Sequence, residues 1–107
     1  MKVLLDECIT HRLRSFLVVH DCQSANYAGF SGLRNGNLLA AAEAAGFDVI
    51  VTLDKGIAFQ QSLEKHRIAM IVLRAPSSAL VSLKPLVPKL LEALSVVQPG
   101  QIMSIQR

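Results

Sequence analysis

Short apolar runs alternate with amphipathic segments along the chain, a pattern that predicts buried strands separated by helices. Continuous apolar runs at residues 3–5, 49–52 and 68–73 predict three buried strands. The segment HDCQSA, residues 20–25, is a weaker strand candidate, and PGQIMSI, residues 99–105, predicts a turn followed by a last strand. Five strands are therefore expected.

The segments between these strands predict helices. Thr10 can cap a helix that turns Leu13, Phe16 and Leu17 to one face. Gly, Asn and Ser mark residues 26–36 as a loop. Residues 37–46 then form a helix capped by Asn35 or Asn37 and ended by Gly46.

Two further helices are expected in the second half of the chain. IAFQQSLEKH, residues 57–66, predicts one of them. Residues 74–88 are interpreted as an irregular crossover, and a helix runs from about Pro85 to about Val97. The βαβαβαβαβ order predicts an α/β fold with a mostly parallel five-stranded sheet, helices on both faces and right-handed crossovers. At 107 residues, the chain is expected to form a single domain spanning 1–107.

Composition changes this picture only slightly. Aromatic residues make up 5% of the chain, so aliphatic side chains must form the core. Cys8 and Cys22 suggest no disulfide framework, and no apolar run reaches the ~18 residues of a membrane span. The N-terminal apolar run is interrupted by acids and does not read as a signal peptide. A soluble, cytoplasmic protein with no membrane partner is expected.

Acidic residues follow two of the predicted strands. Asp6 and Glu7 come directly after the first strand, and Asp54 follows the strand at 49–52. Ligands of parallel α/β sheets gather at the carboxyl ends of the strands. If these two strands are neighbours, the carboxylates converge, and their hard oxygen atoms suit Mg²⁺ or Mn²⁺. Asp residues also cap helices at strand ends, so position alone leaves a purely structural role open.

Charge is unevenly distributed along the chain. Residues 1–54 carry four Lys/Arg and six Asp/Glu, a net charge of −2, whereas residues 55–107 carry seven and two, a net charge of +5. An acidic half beside a basic half is consistent with a metal site next to a phosphate-attracting surface, and equally with chance scatter.

The segments VLLDEC, RNGNLLAAAEAAGFDVIVTLDKGIAFQQ, IVLRAPSSAL, LKPLVPKLLEAL and PGQI resemble the small bacterial PIN-like proteins, a domain of unknown function treated as a toxin component of toxin–antitoxin systems. The resemblance covers nearly the whole chain. It implies a three-layer α/β sandwich whose acidic cluster binds Mg²⁺ or Mn²⁺ and cleaves single-stranded RNA. It also implies a cognate antitoxin protein and a homodimer.

Carried over residue by residue, the resemblance makes Asp6 and Asp54 the catalytic acids and adds Glu7 and Asn37 as metal ligands. Asn37 stands where the family tends to have Glu, and Gly56 stands where it has Asn or Asp, so the acidic cluster is depleted. The residues expected to contact substrate are Arg34, Asn35, Thr52, Lys55 and Gln61.

Two other functions are compatible with these residues. The depleted cluster suits a module that binds RNA or protein without cutting, and a receiver-like phosphoacceptor domain would also place acids at these strand ends. A receiver, however, needs a Lys at the end of its last strand, which GQIMSIQR does not provide in a suitable place. Tyr27, Phe30, Phe47 and Phe59 are interpreted as packing residues, which leaves no aromatic platform for RNA bases.

Overall fold

The computed structural model describes residues 1–53, 63 and 66–107. The strands in this part of the chain are β1 (Lys2–Leu5), β2 (Asp21–Ser24), β3 (Val49–Thr52), β4 (Ala69–Arg74) and β5 (Ile102–Gln106). The α-helices are α1 (Asn35–Ala44), α2 (Leu80–Leu83) and α3 (Val87–Val96), and 3-10 helices span His11–Phe16 and Lys84–Leu86. Most of the helix predicted at 57–66 lies outside the described residues.

The five strands form one sheet in the order β2-β1-β3-β4-β5, and all four pairings are parallel. The predicted α/β class and five-stranded parallel sheet are therefore confirmed. Flavodoxin-like sheets have the same strand order. After β1 the chain forms β2 on one side of β1, and it then crosses to the other side of β1 to form β3. The switch point between β1 and β3 is where such sheets bind ligands.

Two hydrophobic clusters take up alternate residues of the strands. Val3 and Leu5 belong to one cluster and Leu4 to the other, because successive side chains of a strand point to opposite faces. The cluster with Val3 includes Leu90 of α3, and the cluster with Leu4 includes Leu39 of α1. Burial of these aliphatic side chains is the main force holding the domain together.

The start of helix α1 differs from the prediction, whereas its end agrees with it. The predicted cap at Asn35 or Asn37 is wrong: Arg34 takes the extended N-cap conformation, and its side chain makes no capping bond. Asn35 follows with a φ of 48°. The C-terminal prediction is confirmed, because Gly46 has a φ of 85° and donates to Glu43 O, while Phe47 N donates to Ala42 O.

The crossover after β4 is more ordered than predicted. Instead of an irregular segment up to residue 88, helical structure starts at Leu80 and continues through a 3-10 turn into α3. Ser77 Oγ accepts from Ala79 N at 3.2 Å and forms a hydrogen bond with Ser82 Oγ at 2.7 Å, which fixes the entry to α2. Pro85 and Pro88 each lie at one of the first two positions of a helical segment, as predicted. No helix of the described residues is long and apolar enough to cross a membrane.

Candidate functional site

Asp6 occupies the switch point of the sheet. Its backbone N–H donates to Val51 O of β3 at 2.9 Å, so the residue extends the β1–β3 ladder by one position. The Thr52 hydroxyl, at the end of β3, donates to Asp6 Oδ2 at 2.7 Å, and Thr52 is fully buried. The neighbouring ends of β1 and β3 are thus joined by a side-chain hydrogen bond that fixes the Asp6 carboxylate.

The second oxygen of Asp6 is also held. Oδ1 accepts from the backbone N–H of Glu7 at 2.8 Å. A carboxylate has about four lone-pair sites, so the hydrogen bonds from Thr52 and Glu7 leave it able to accept or ligate further. The arrangement therefore orients the carboxylate without exhausting its oxygen atoms.

Glu7 turns toward the loop that follows β2. Its Oε1 accepts from the backbone N–H of Gly32 at 2.6 Å, and its Oε2 makes no hydrogen bond with any described residue. Asp6 is therefore hydrogen-bonded to the end of β3, and Glu7 to the loop after β2. Both nevertheless line the same two grooves.

The smaller groove, about 320 Å³, joins these acids to the start of α1. Arg34 and Asn35 line it beside Asp6 and Glu7, so the structure brings these four predicted site residues together. Asn37 is exposed on the first turn of α1 and does not line either groove in the described structure. Its role as a metal ligand stays a prediction.

The larger groove, about 670 Å³, contains residues that the sequence reasoning missed. Ser24 ends β2 at the same carboxyl edge, and applying the strand-end rule to a third strand would have found it. The other polar or aromatic residues that line this groove and were not predicted are Thr10, His11, Arg14, Asn26, Tyr27 and Ser31.

Cys8 is a further neighbour of the acid that was not predicted. Its Sγ lies 3.7 Å from Asp6 Oδ2 and 3.9 Å from Thr52 Oγ1. Burial of the thiol raises its pKa, and the Asp6 carboxylate adds to this effect, while a backbone hydrogen bond at Leu53 opposes it. The thiol therefore stays protonated and serves as a weak donor to Asp6.

Three predicted site residues, Asp54, Lys55 and Gln61, lie outside the described residues, as does Gly56. Within the described part of the chain, no group of three or more His, Cys, Asp or Glu could hold a metal ion. Asp6 and Glu7 contribute two carboxylates, and the buried Thr52 hydroxyl donates to Asp6. Carboxylate oxygen atoms are the hard ligands that Mg²⁺ and Mn²⁺ prefer.

No family model, curated protein or solved structure matches this chain. Its class is therefore defined by the fold and the site alone. It is an α/β protein with a five-stranded parallel sheet and an acid fixed at the switch point of that sheet.

Proposed function

We propose that the protein is a metal-dependent endoribonuclease of the PIN-like type that acts on single-stranded RNA in the cytoplasm. The observation that carries this proposal is Asp6, held at the β1/β3 switch point by Thr52 and the Glu7 backbone. Asp54 follows Thr52 by two residues in the sequence, which supports a second acid from β3 at the same edge.

In this proposal Asp6, Glu7 and Asp54 hold Mg²⁺ or Mn²⁺, with Asn37 as a neutral oxygen donor. The bound ion supplies an activated water and charge stabilisation for phosphodiester cleavage. Asp6 keeps its orientation through the hydrogen bonds from Thr52 and the Glu7 backbone, so it needs little reorganisation on binding. Arg34, which lines the same groove, is suited to attract a phosphate.

The same proposal assigns the protein to the toxin half of a toxin–antitoxin pair. A cognate antitoxin would cover the grooves around Asp6 and Glu7 and so block access to RNA. A homodimer would use the exposed apolar side chains of the C-terminal half, where Val81 and Val96 are 78% and 55% exposed.

The test is cleavage of a labelled single-stranded RNA in Mn²⁺ or Mg²⁺, repeated with EDTA. We expect cleavage by the wild type, loss of cleavage in EDTA, and loss in Asp6→Asn and Asp54→Asn. Asp21→Asn is the matched control, because Asp21 is an exposed acid at the opposite, amino end of β2. Undiminished cleavage by both site variants would refute the proposal. RNA binding without cleavage that EDTA leaves unchanged would instead support the non-cutting module.

A receiver-like phosphoacceptor is the second candidate, since receiver domains share the observed strand order. Its weakness lies at the ends of the last two strands. β4 ends on Arg74 and β5 on Gln106, where a receiver needs a hydroxyl residue and a Lys. Incubation with acetyl phosphate would separate the candidates: phosphorylation of Asp54 would favour the receiver, and its absence is expected here.

A further inference from the structure

Tyr27 does not pack in the core, which corrects its interpretation as a packing residue. The residue is 74% exposed, and it lines the larger groove together with Asp6 and Glu7. Tyr27 lies in the loop that follows β2.

The loop that carries Tyr27 is braced against the site. Ala25 N donates to Leu5 O of β1 at 2.8 Å, and Tyr27 N itself donates to Ser24 Oγ at 3.1 Å. Further along the loop, Gly32 N donates to the Glu7 carboxylate at 2.6 Å. Tyr27 is thus presented on a segment fixed to the same strand that positions Asp6, which lowers the entropy lost when a ligand binds.

Charge and hydrogen-bonding groups accompany the ring in this groove. Arg14 and His11 supply one cationic and one titratable side chain, and Ser24, Asn26 and Ser31 supply donors and acceptors. At about 670 Å³, the groove falls within the range of about 300–1,000 Å³ typical of small-ligand sites. There is therefore room for a nucleotide beside Tyr27.

We infer that the larger groove is a subsite for single-stranded nucleic acid, in which a base stacks on Tyr27 and Arg14 contacts a phosphate. The inference rests on the proposed function, because it extends the RNA path from Asp6 into this groove. An exposed aromatic ring beside a cation is the usual combination for sequence-tolerant binding of single strands.

The test is binding of a short fluorescein-labelled oligouridine, measured by anisotropy with Ca²⁺ in place of Mn²⁺ and with the RNA checked for integrity on a gel. Tyr27→Ala is expected to weaken binding about tenfold, the loss of one stacked base. Tyr27→Phe keeps the ring and should bind like the wild type. An abasic oligonucleotide of equal length should bind both Tyr27→Ala and wild type equally.

Arg14→Gln tests the phosphate contact separately. It is expected to reduce the slope of log affinity against log salt by about 0.7, the value for one phosphate of a single strand. Circular dichroism and urea unfolding establish that the variants fold.

The outcomes separate the two proposals. Equal affinities of wild type and Tyr27→Ala, or an equal loss on the abasic strand, would overturn the stacking subsite and leave the nuclease proposal standing. Failure of the wild type to bind any oligonucleotide would overturn the subsite. In that case the cleavage assay with Asp6→Asn decides the nuclease proposal independently.

Discussion

Thr52 is the only polar residue that is fully buried in the described part of the chain, and its hydroxyl donates to Asp6. Thr52→Val keeps the shape and removes this donor. We expect the free energy of unfolding to fall by about 1.5–3 kcal/mol, because a hydrogen bond to a carboxylate is lost. Urea unfolding measures the change.

Thr52→Ser is the matched control for this prediction, because it keeps the hydroxyl and removes only a methyl group. If the hydrogen bond positions Asp6 for its proposed role, Thr52→Ser should retain RNA cleavage while Thr52→Val loses most of it. Equal cleavage by the two variants would show that the Asp6 orientation does not depend on Thr52.

The buried thiol of Cys22 predicts how stability depends on pH. Burial raises the pKa of Cys22 from its ordinary value of 9.0 to about 11. Between these values the native thiol keeps its proton while the unfolded chain releases it, so the unfolded state binds fewer protons. The free energy of unfolding should therefore fall as the pH rises from 9 to 11.

Cys22→Ala provides the control, since it retains every other group that titrates in this range. Urea unfolding at a series of pH values should give a shallower decline for Cys22→Ala than for the wild type. Parallel curves for the two proteins would contradict the predicted role of the thiol.

At the residue scale, the predicted strand boundaries were enough to place Asp6 and Glu7 at the carboxyl end of β1. They did not give the environment of the neighbouring residues. The rule that ligands gather at strand ends needs only the strand boundaries, which apolar runs define well. The position of a loop residue such as Tyr27 depends on hydrogen bonds between its loop and residues distant in sequence, here to Leu5 O and to the Glu7 carboxylate. A single sequence does not contain that information in any local pattern.

Among the elements, the C-terminus of α1 offers the sharpest test. Gly46 has a φ of 85°, and a Cβ there would meet no atom within 4 Å, so a substitution would cost backbone strain alone. Gly46→Ala should lower the free energy of unfolding by about 1–2 kcal/mol. Gly46→Asn should cost less, because Asn tolerates this conformation. Urea unfolding of both variants checks the order, and an equal cost for both would contradict it.

Element types were predicted more reliably than their boundaries. The strands at 3–5 and 49–52 were found because buried parallel strands are almost wholly apolar. The start of α1 was misplaced because two Asn residues looked equally suited to cap it, while the cap conformation fell on Arg34. The turn at Leu80 was missed because the hydrogen bonds of Ser77 are not visible as periodicity.

On the scale of the whole molecule, the two hydrophobic clusters predict that substitutions in different clusters change the free energy of unfolding independently. Leu39 and Leu94 are buried in different clusters, whereas Leu90 and Leu94 share one cluster and lie one helical turn apart. Each Leu→Ala change should cost about 2–5 kcal/mol. The costs at Leu39 and Leu94 should add within about 0.5 kcal/mol, and those at Leu90 and Leu94 should not.

Urea unfolding in sucrose, which favours the compact state, keeps the double variants folded for this comparison. Strong coupling between Leu39 and Leu94 would contradict the separation of the two clusters.

The order of strands is a property of the whole molecule that the sequence did not predict. Alternating strands and helices imply a parallel sheet, yet several orders satisfy right-handed crossovers. The observed order makes β1 and β3 neighbours, and only this places Asp6 beside Thr52. The candidate site therefore depends on topology as much as on the acids themselves.

We propose that the switch-point carboxylates hold a divalent cation, and calorimetric titration with Mn²⁺ tests this most directly. The wild type and the Asp21→Asn control should bind Mn²⁺ alike, and Asp6→Asn should bind roughly tenfold more weakly or not at all, because ligand charge sets affinity. No binding by the wild type, or equal binding by Asp6→Asn, would contradict a metal site at this edge of the sheet.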